Sequence, residues 1–160
     1  MKSIQFLNMQ RELFTAGYAG HDLDSFLHML NAHRVDLVVD IRRNPVSRKK
    51  GFSRSALADF LAGQGIEYVH VRELGVPTEL RDELRCGVCD LAEYLARFRN
   101  YLACEAHTLR DLGVMASRKR CCLLCVEERP EECHRSVVAE AASSCGTHAL
   151  AITHLPRPVP

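Results

Sequence analysis

Short runs of apolar and β-branched residues alternate along this chain with longer stretches in which apolar side chains recur every three to four positions. Leu13-Phe14-Thr15-Ala16 predicts a short strand ending in the Gly17-Tyr18-Ala19-Gly20 turn. Asp22 or Asp24 can then cap a helix that carries Leu23, Phe26, Leu27 and Leu30 at helical spacing. Val35 to Ile41, VDLVVDI, reads as a buried strand between polar flanks. A helix with Leu57, Phe60 and Leu61 starts at Ser53 or Ser55 and closes near Gly63-Gln64-Gly65. Ile66 to Val71, IEYVHV, alternates as a third strand. Leu91 to Leu112 resumes the helical pattern, and Cys121 to Val126, CCLLCV, is an apolar run of strand length. Pro130 opens a helix to about Ser144 that Gly146 stops, and Ala149 to Thr153 is a last strand. Only Glu73 to Cys89, with Gly75, Pro77 and Gly87, has no period and reads as an excursion or lid.

Strands that alternate with helices fold into α/β layers around a mostly parallel sheet. With 160 residues the chain has room for one core. The expectation is a single-domain, layered α/β/α unit over residues 1–155 with about five strands, followed by a Pro-rich tail at 156–160. A composition 47% hydrophobic and 26% charged excludes a disordered tail, a collagen-like fibre and a small disulfide scaffold. Twenty-one basic residues against twenty acidic ones give a net charge of +1, so affinity for nucleic acid must come from local clustering. No apolar run approaches a membrane span, and MKSIQFLNMQREL is too short in apolar residues for a signal peptide. A cytoplasmic protein with no membrane partner is expected.

In parallel sheets, ligands sit beyond the carboxyl ends of the strands. The second strand runs out through Asp40-Ile41-Arg42-Arg43-Asn44-Pro45 into Ser47-Arg48-Lys49-Lys50-Gly51-Phe52-Ser53-Arg54, and six basic residues fall between Arg42 and Arg54. Guanidinium groups beside a helix start suit an anion or phosphate. The same cluster can equally be a solvated basic loop. The fourth strand ends Cys125-Val126-Glu127 and leads through Pro130 to Cys133-His134-Arg135 in the next helix. A thiol, a carboxylate, an imidazole and a guanidinium at one turn can supply nucleophile, proton transfer and substrate clamp. They can also be buried cysteines beside a glutamate paired with arginine. Tyr18, at the end of the first strand, joins the candidates for the same rim.

Eight cysteines in a reducing compartment are buried apolar residues, metal ligands or reactive thiols. Cys86-Gly87-Val88-Cys89 and Cys122-Leu123-Leu124-Cys125 are both C-x2-C, with 32 residues between them, and suggest a four-cysteine zinc site. In a strand, however, residues 122 and 125 face opposite sides, and Cys121 and Cys125 lie roughly 13 Å apart. Cys86 and Cys89 remain free to ligate and are weak metal candidates, able to recruit a strand-end thiol or His134.

Thr15-Ala16-Gly17-Tyr18-Ala19, Asp40 to Arg48 with Gly51-Phe52, Gly65-Ile66-Glu67-Tyr68, Leu74-Gly75-Val76 and Leu124 to Arg135 follow in order. Together they resemble a family of bacterial and archaeal proteins known as DUF488. Its pattern reads T-I-G-H-S, D-V-R-x-x-P-x-S-R with G-F, G-I-x-Y, L-G-G and L-C-x-E-x-x-P-x-x-C-H-R. The resemblance spans about Leu13 to His154 and implies that the Arg42 loop and the Cys125 to Arg135 turn share one site. Tyr18 stands where the family has histidine, Leu-Gly-Gly has become Leu-Gly-Val, and Cys86 and Cys89 lie outside the pattern.

The reading therefore expects an enzyme acting on a phosphate-bearing substrate, a nucleotide or nucleic acid, with no cofactor specified. Asp40, Arg42, Arg43, Ser47, Arg48 and Tyr18 would form the anion-binding rim. Glu127 would be acid or base, Cys125 or Cys133 the nucleophile, and His134 and Arg135 would orient or stabilise charge. The rivals are a non-catalytic nucleic-acid-binding or regulatory module using the 42–54 loop, and a metal-binding protein using its cysteines.

Overall fold

The computed structural model describes residues 11–146 and 149–157, so the ends of the expected 1–155 domain and 156–160 tail lie partly outside the described residues. Five strands, β1 (Arg11–Gly17), β2 (Leu37–Asp40), β3 (Glu67–His70), β4 (Cys121–Cys125) and β5 (Leu150–His154), form one sheet in the order β3-β2-β4-β1-β5. Every pairing is parallel, with Gly17 opposite Cys125 and Asp40 opposite Leu124. The layered α/β expectation holds.

Alternation along β4 divides its cysteines between two cores. Cys121 and Leu123 face one cluster with Leu13, Val39 and Ile41. Cys122 and Leu124 face the other with Phe14, Ala16 and Val38. The second cluster is covered by α1 (Leu23–Ala32) through Phe26, Met29 and Leu30, and by α2 (Arg54–Ala62) through Leu57 and Leu61. Asp22 is the cap of α1: its carboxylate accepts from the Ser25 N–H at 2.8 Å while its own N–H donates to Ser25 Oγ.

On the opposite face lie α3 (Thr78–Arg85), α4 (Leu91–Ala103), α5 (Ala106–Arg118) and α6 (His134–Cys145). This face differs from the sequence reading in three places. The excursion at 73–89 contains a short 3-10 turn, Arg72–Leu74, and the helix α3, whose TELRDELR sequence is too polar to show a period beyond Leu80 and Leu84. The expected 91–112 helix is two helices that break at Cys104-Glu105. One straight helix there would be about 33 Å long, the width of a small domain. The break lets Tyr94, Phe98 and Leu102 and then Leu109, Leu112 and Ala116 reach the same core. The expected helix from Pro130 is a 3-10 turn, Pro130–Glu132, and then α6, with Cys133 in extended backbone as its cap.

β1 leads through α1 across β4 to β2, and β4 leads through α6 across β1 to β5. The chain thus leaves the neighbouring strands β1 and β4 in opposite directions and on opposite faces. Their carboxyl ends mark the switch point where a crevice opens.

Candidate functional site

A cleft of about 290 Å³ opens beyond the end of β4, lined by Cys125, Val126, Glu127 and His134 on the strand side. Arg81, Leu84 and Arg85 of α3, Tyr94 of α4, and Arg42, Asn44 and Val46 after β2 complete it. Of the residues singled out in the sequence, Arg42, Cys125, Glu127 and His134 line the cleft, and Cys133 lies just behind them.

Side-chain alternation puts Cys125 and Glu127 on one side of the strand end. Cys125 Sγ donates to Glu127 Oε2 at 3.1 Å, and Cys133 Sγ donates to the same oxygen at 3.0 Å. His134 Nδ1 lies 3.5 Å from Cys125 Sγ and 4.0 Å from Cys133 Sγ. His134 Nε2 donates to the Ile41 carbonyl at 3.1 Å, so in the neutral ring the Nδ1 lone pair faces the two sulfurs. Phe98 of α4 meets the imidazole edge-on, with centroids 5.3 Å apart.

The charges of this group are coupled. Burial acts to raise the Glu127 carboxyl, but hydrogen bonds from Cys133 and Cys125 and the nearby His134 outweigh it and hold it below its ordinary value. Burial acts to lower His134, while Cys133, the Ile41 carbonyl and Glu127 hold it above its ordinary value. Cys133 is raised well above an ordinary thiol by burial and by Cys125. Tyr94 is raised by burial and by Glu127, so it faces the cleft as a protonated donor at neutral pH. In chemical terms the cluster can act as a thiol beside a base or as a ligand set for a soft cation.

Arg135, fully buried, supports the turn from beneath. Its guanidinium donates to the carbonyls of Glu127 and Glu128, and Nε donates to Thr15 Oγ1 at 3.2 Å. It is a positioning group for Glu127 and lies outside the cleft lining.

Most of the expected anion-binding rim is committed to the fold. Asp40 and Arg42 form a buried ion pair at 2.5 Å, and Arg42 Nη1 donates to the Phe52 carbonyl and to Tyr18 Oη. Tyr18 stacks on Phe52 and donates to Ser47 Oγ. Arg43 donates to Tyr101 Oη, and Lys49 donates to the Ala19 carbonyl at 2.6 Å. Of the six basic residues in the loop, Arg48, Lys50 and Arg54 are exposed, and none of these three lines the cleft.

The cleft's cations come instead from α3. Arg81 is exposed and makes no ion pair among the described residues, and Arg85 pairs with Asp82 at 3.0 Å. The sequence reading missed both, together with Tyr94. The available signal was their i, i+4 spacing in TELRDELR, which puts two guanidinium groups on one helix side.

Cys86 is exposed and Cys89 buried, and neither joins the strand-end cluster. Among the described residues that cluster, Cys125, Glu127, Cys133 and His134, is the one group of three or more potential ligands. Burial pushes the Cys121 thiol up to about 12 and raises Cys122 further. Iodoacetamide should therefore modify the exposed Cys86, Cys104 and Cys145 in the native protein and spare Cys121 and Cys122. Peptide mass mapping reads this directly, and early labelling of Cys121 would contradict the burial.

The fold and site together define a fully parallel α/β/α protein with a thiol-, carboxylate- and imidazole-bearing cleft at its switch point. No helix among the described residues is long and apolar enough to cross a membrane. A family model described as "Domain of unknown function DUF488" matches residues 22–142, and the chain belongs to that family. No curated protein and no solved structure matches it.

Proposed function

We propose that the protein is an enzyme whose active site is this cleft and whose substrate is a small phosphate-bearing molecule of nucleotide size. One observation carries the reading: Cys125, Glu127 and His134, with Cys133 behind them, line a single cleft together with two arginines of α3. Convergent polar groups in a concave site are what a binding pocket requires. The cluster itself does not attract an anion, so Arg81 and Arg85 supply the attraction and the cluster the chemistry. A volume of about 290 Å³ suits one nucleotide-sized group rather than a duplex.

Calorimetric titration with inorganic phosphate and with adenosine monophosphate tests this. Loss of a charge-assisted contact removes about 1.5–3 kcal/mol, so Arg81→Ala should weaken binding about tenfold or more. The Arg48→Ala/Lys50→Ala double variant should bind as the parent does. The reverse pattern, together with binding of an oligonucleotide that weakens steeply as salt rises, would replace the enzyme reading with the nucleic-acid-binding module.

A further inference from the structure

We propose that Cys125, Cys133, His134 and Glu127 are the ligands of one zinc ion, bound in the wall of the cleft. Their ligand atoms, two sulfurs, one imidazole nitrogen and one carboxylate oxygen, all lie within 4.8 Å of one another. Zinc takes these three ligand types at about 2.0–2.3 Å in a tetrahedron, whose edges are then roughly 3.3–3.8 Å. The sulfur-to-Nδ1 separation from Cys125, 3.5 Å, lies inside that range, and that from Cys133, 4.0 Å, is two tenths beyond it. The sulfur-to-oxygen separations of 3.1 and 3.0 Å fall a few tenths short, an adjustment that one Glu127 rotation provides.

The surroundings carry an independent signal. A metal-bound histidine usually gives its other ring N–H to a carbonyl or carboxylate, which fixes the lone pair on the metal. His134 Nε2 does this to the Ile41 carbonyl. The Arg135 N–H donates to Cys133 Sγ at 3.5 Å, and the Arg135 guanidinium fixes the Glu127 carbonyl. Cys133 also occupies a helix cap, where Ser, Thr, Asp or Asn serve far better than a thiol. Ligation gives that cysteine a role that capping does not. The buried cation Arg135, in contact with Cys133 and the Glu127 carbonyl, stands beside a set that carries three negative charges against the ion's two.

Binding needs no oxidant or reductant. The ion replaces the two thiol protons, which leave to solvent, and the neutral Nδ1 and the carboxylate bind as they stand. Cys125, Cys133 and His134 are buried, whereas Glu127 is exposed toward the cleft. Glu127 is therefore the ligand that a phosphate oxygen or water can displace. This last role rests on the cleft being the substrate site; the presence of the ion does not.

The test uses the full chain, reduced and stripped of metal, titrated with zinc and with cobalt(II) as a coloured substitute. One ion per chain is expected, with the thiolate-to-cobalt charge-transfer band and the intense visible bands of a tetrahedral site. Cys125→Ser/Cys133→Ser should abolish that band, and Cys86→Ser/Cys89→Ser should keep it. Glu127→Gln should keep the charge-transfer band while changing the visible bands, which covers the case of a double variant that does not fold. Absence of the band in the parent, or its loss in Cys86→Ser/Cys89→Ser with retention in Cys125→Ser/Cys133→Ser, overturns the proposal. Phosphate titration of the metal-free protein separates the two readings. Arg81-dependent binding without a metal site leaves the cleft standing and removes the ion. A metal site without Arg81-dependent binding does the opposite.

Discussion

Asp40→Ala should destabilise the protein by about 4 kcal/mol, because it leaves the Arg42 guanidinium buried without its counter-charge. Asp40 is wholly buried and Arg42 is 3% exposed. The carboxylate accepts from Arg42 Nε at 2.8 Å, from Arg42 Nη2 at 2.5 Å and from the Arg42 backbone N–H at 3.1 Å. Tyr68 adds a fourth hydrogen bond at 2.6 Å. Burial works against the Arg42 charge, but Asp40 more than offsets it and raises the guanidinium further above its ordinary value. At about 3 °C per kcal/mol for a chain of this size, the melting temperature should fall by roughly 12 °C. Arg42→Met removes the orphaned charge, so Asp40→Ala/Arg42→Met should lose clearly less than the two single losses added together. Simple additivity would contradict a coupled buried pair. The site should suffer too, since Arg42 ties the Phe52 carbonyl and Tyr18 to the end of β2 while lining the cleft.

Gly17→Ala should cost about 3 kcal/mol, at the upper end of what overpacking costs in a close-packed interior. The cause is a close approach of two backbones. A Cβ on residue 17 would overlap the Glu127 carbonyl and lie 3.0 Å from Arg135 Nη1. That carbonyl is pinned by the hydrogen bond from Arg135 Nη1, which crowds the same spot. The end of β1 must therefore shift against its partner Cys125, and Glu127 with it. Phosphate affinity and metal affinity should both fall in this variant even below its melting temperature. A parent-like melting curve would mean that the β1 and β4 ends do not sit this close. Gly75 makes a second such approach, with its absent Cβ 2.6 Å from Arg43 Cα. Gly17 matters more because it borders the cluster itself.

The strands were legible because β-branched runs such as LVVD have few alternatives once both faces are buried. Cys125, Glu127, Cys133 and His134 were legible for a related reason: alternation and a short strand-to-helix turn leave little freedom in where they point. Helix α3 was not, since a helix with one buried leucine carries almost no periodic signal and is held by what it packs against. The cations went wrong with it. Charge density in the sequence drew attention to residues 42–54, but hydrogen bonds to carbonyls and tyrosines, invisible in composition, tie Arg42, Arg43 and Lys49 to the fold. Arg81 and Arg85 lay in a segment read as irregular. Cys133 caps α6 instead of lying in its first turns, because Pro130 opens a 3-10 turn first.

The most direct test of the central claim is an amide NMR titration of the isotope-labelled full chain with adenosine monophosphate, mapping which residues shift. Binding at the cleft predicts changes confined to Arg81, Arg85, Tyr94 and the Val126 to His134 turn, lost in Arg81→Ala. Shifts concentrated on Arg48, Lys50 and Arg54, with the β4 end unchanged, would contradict it.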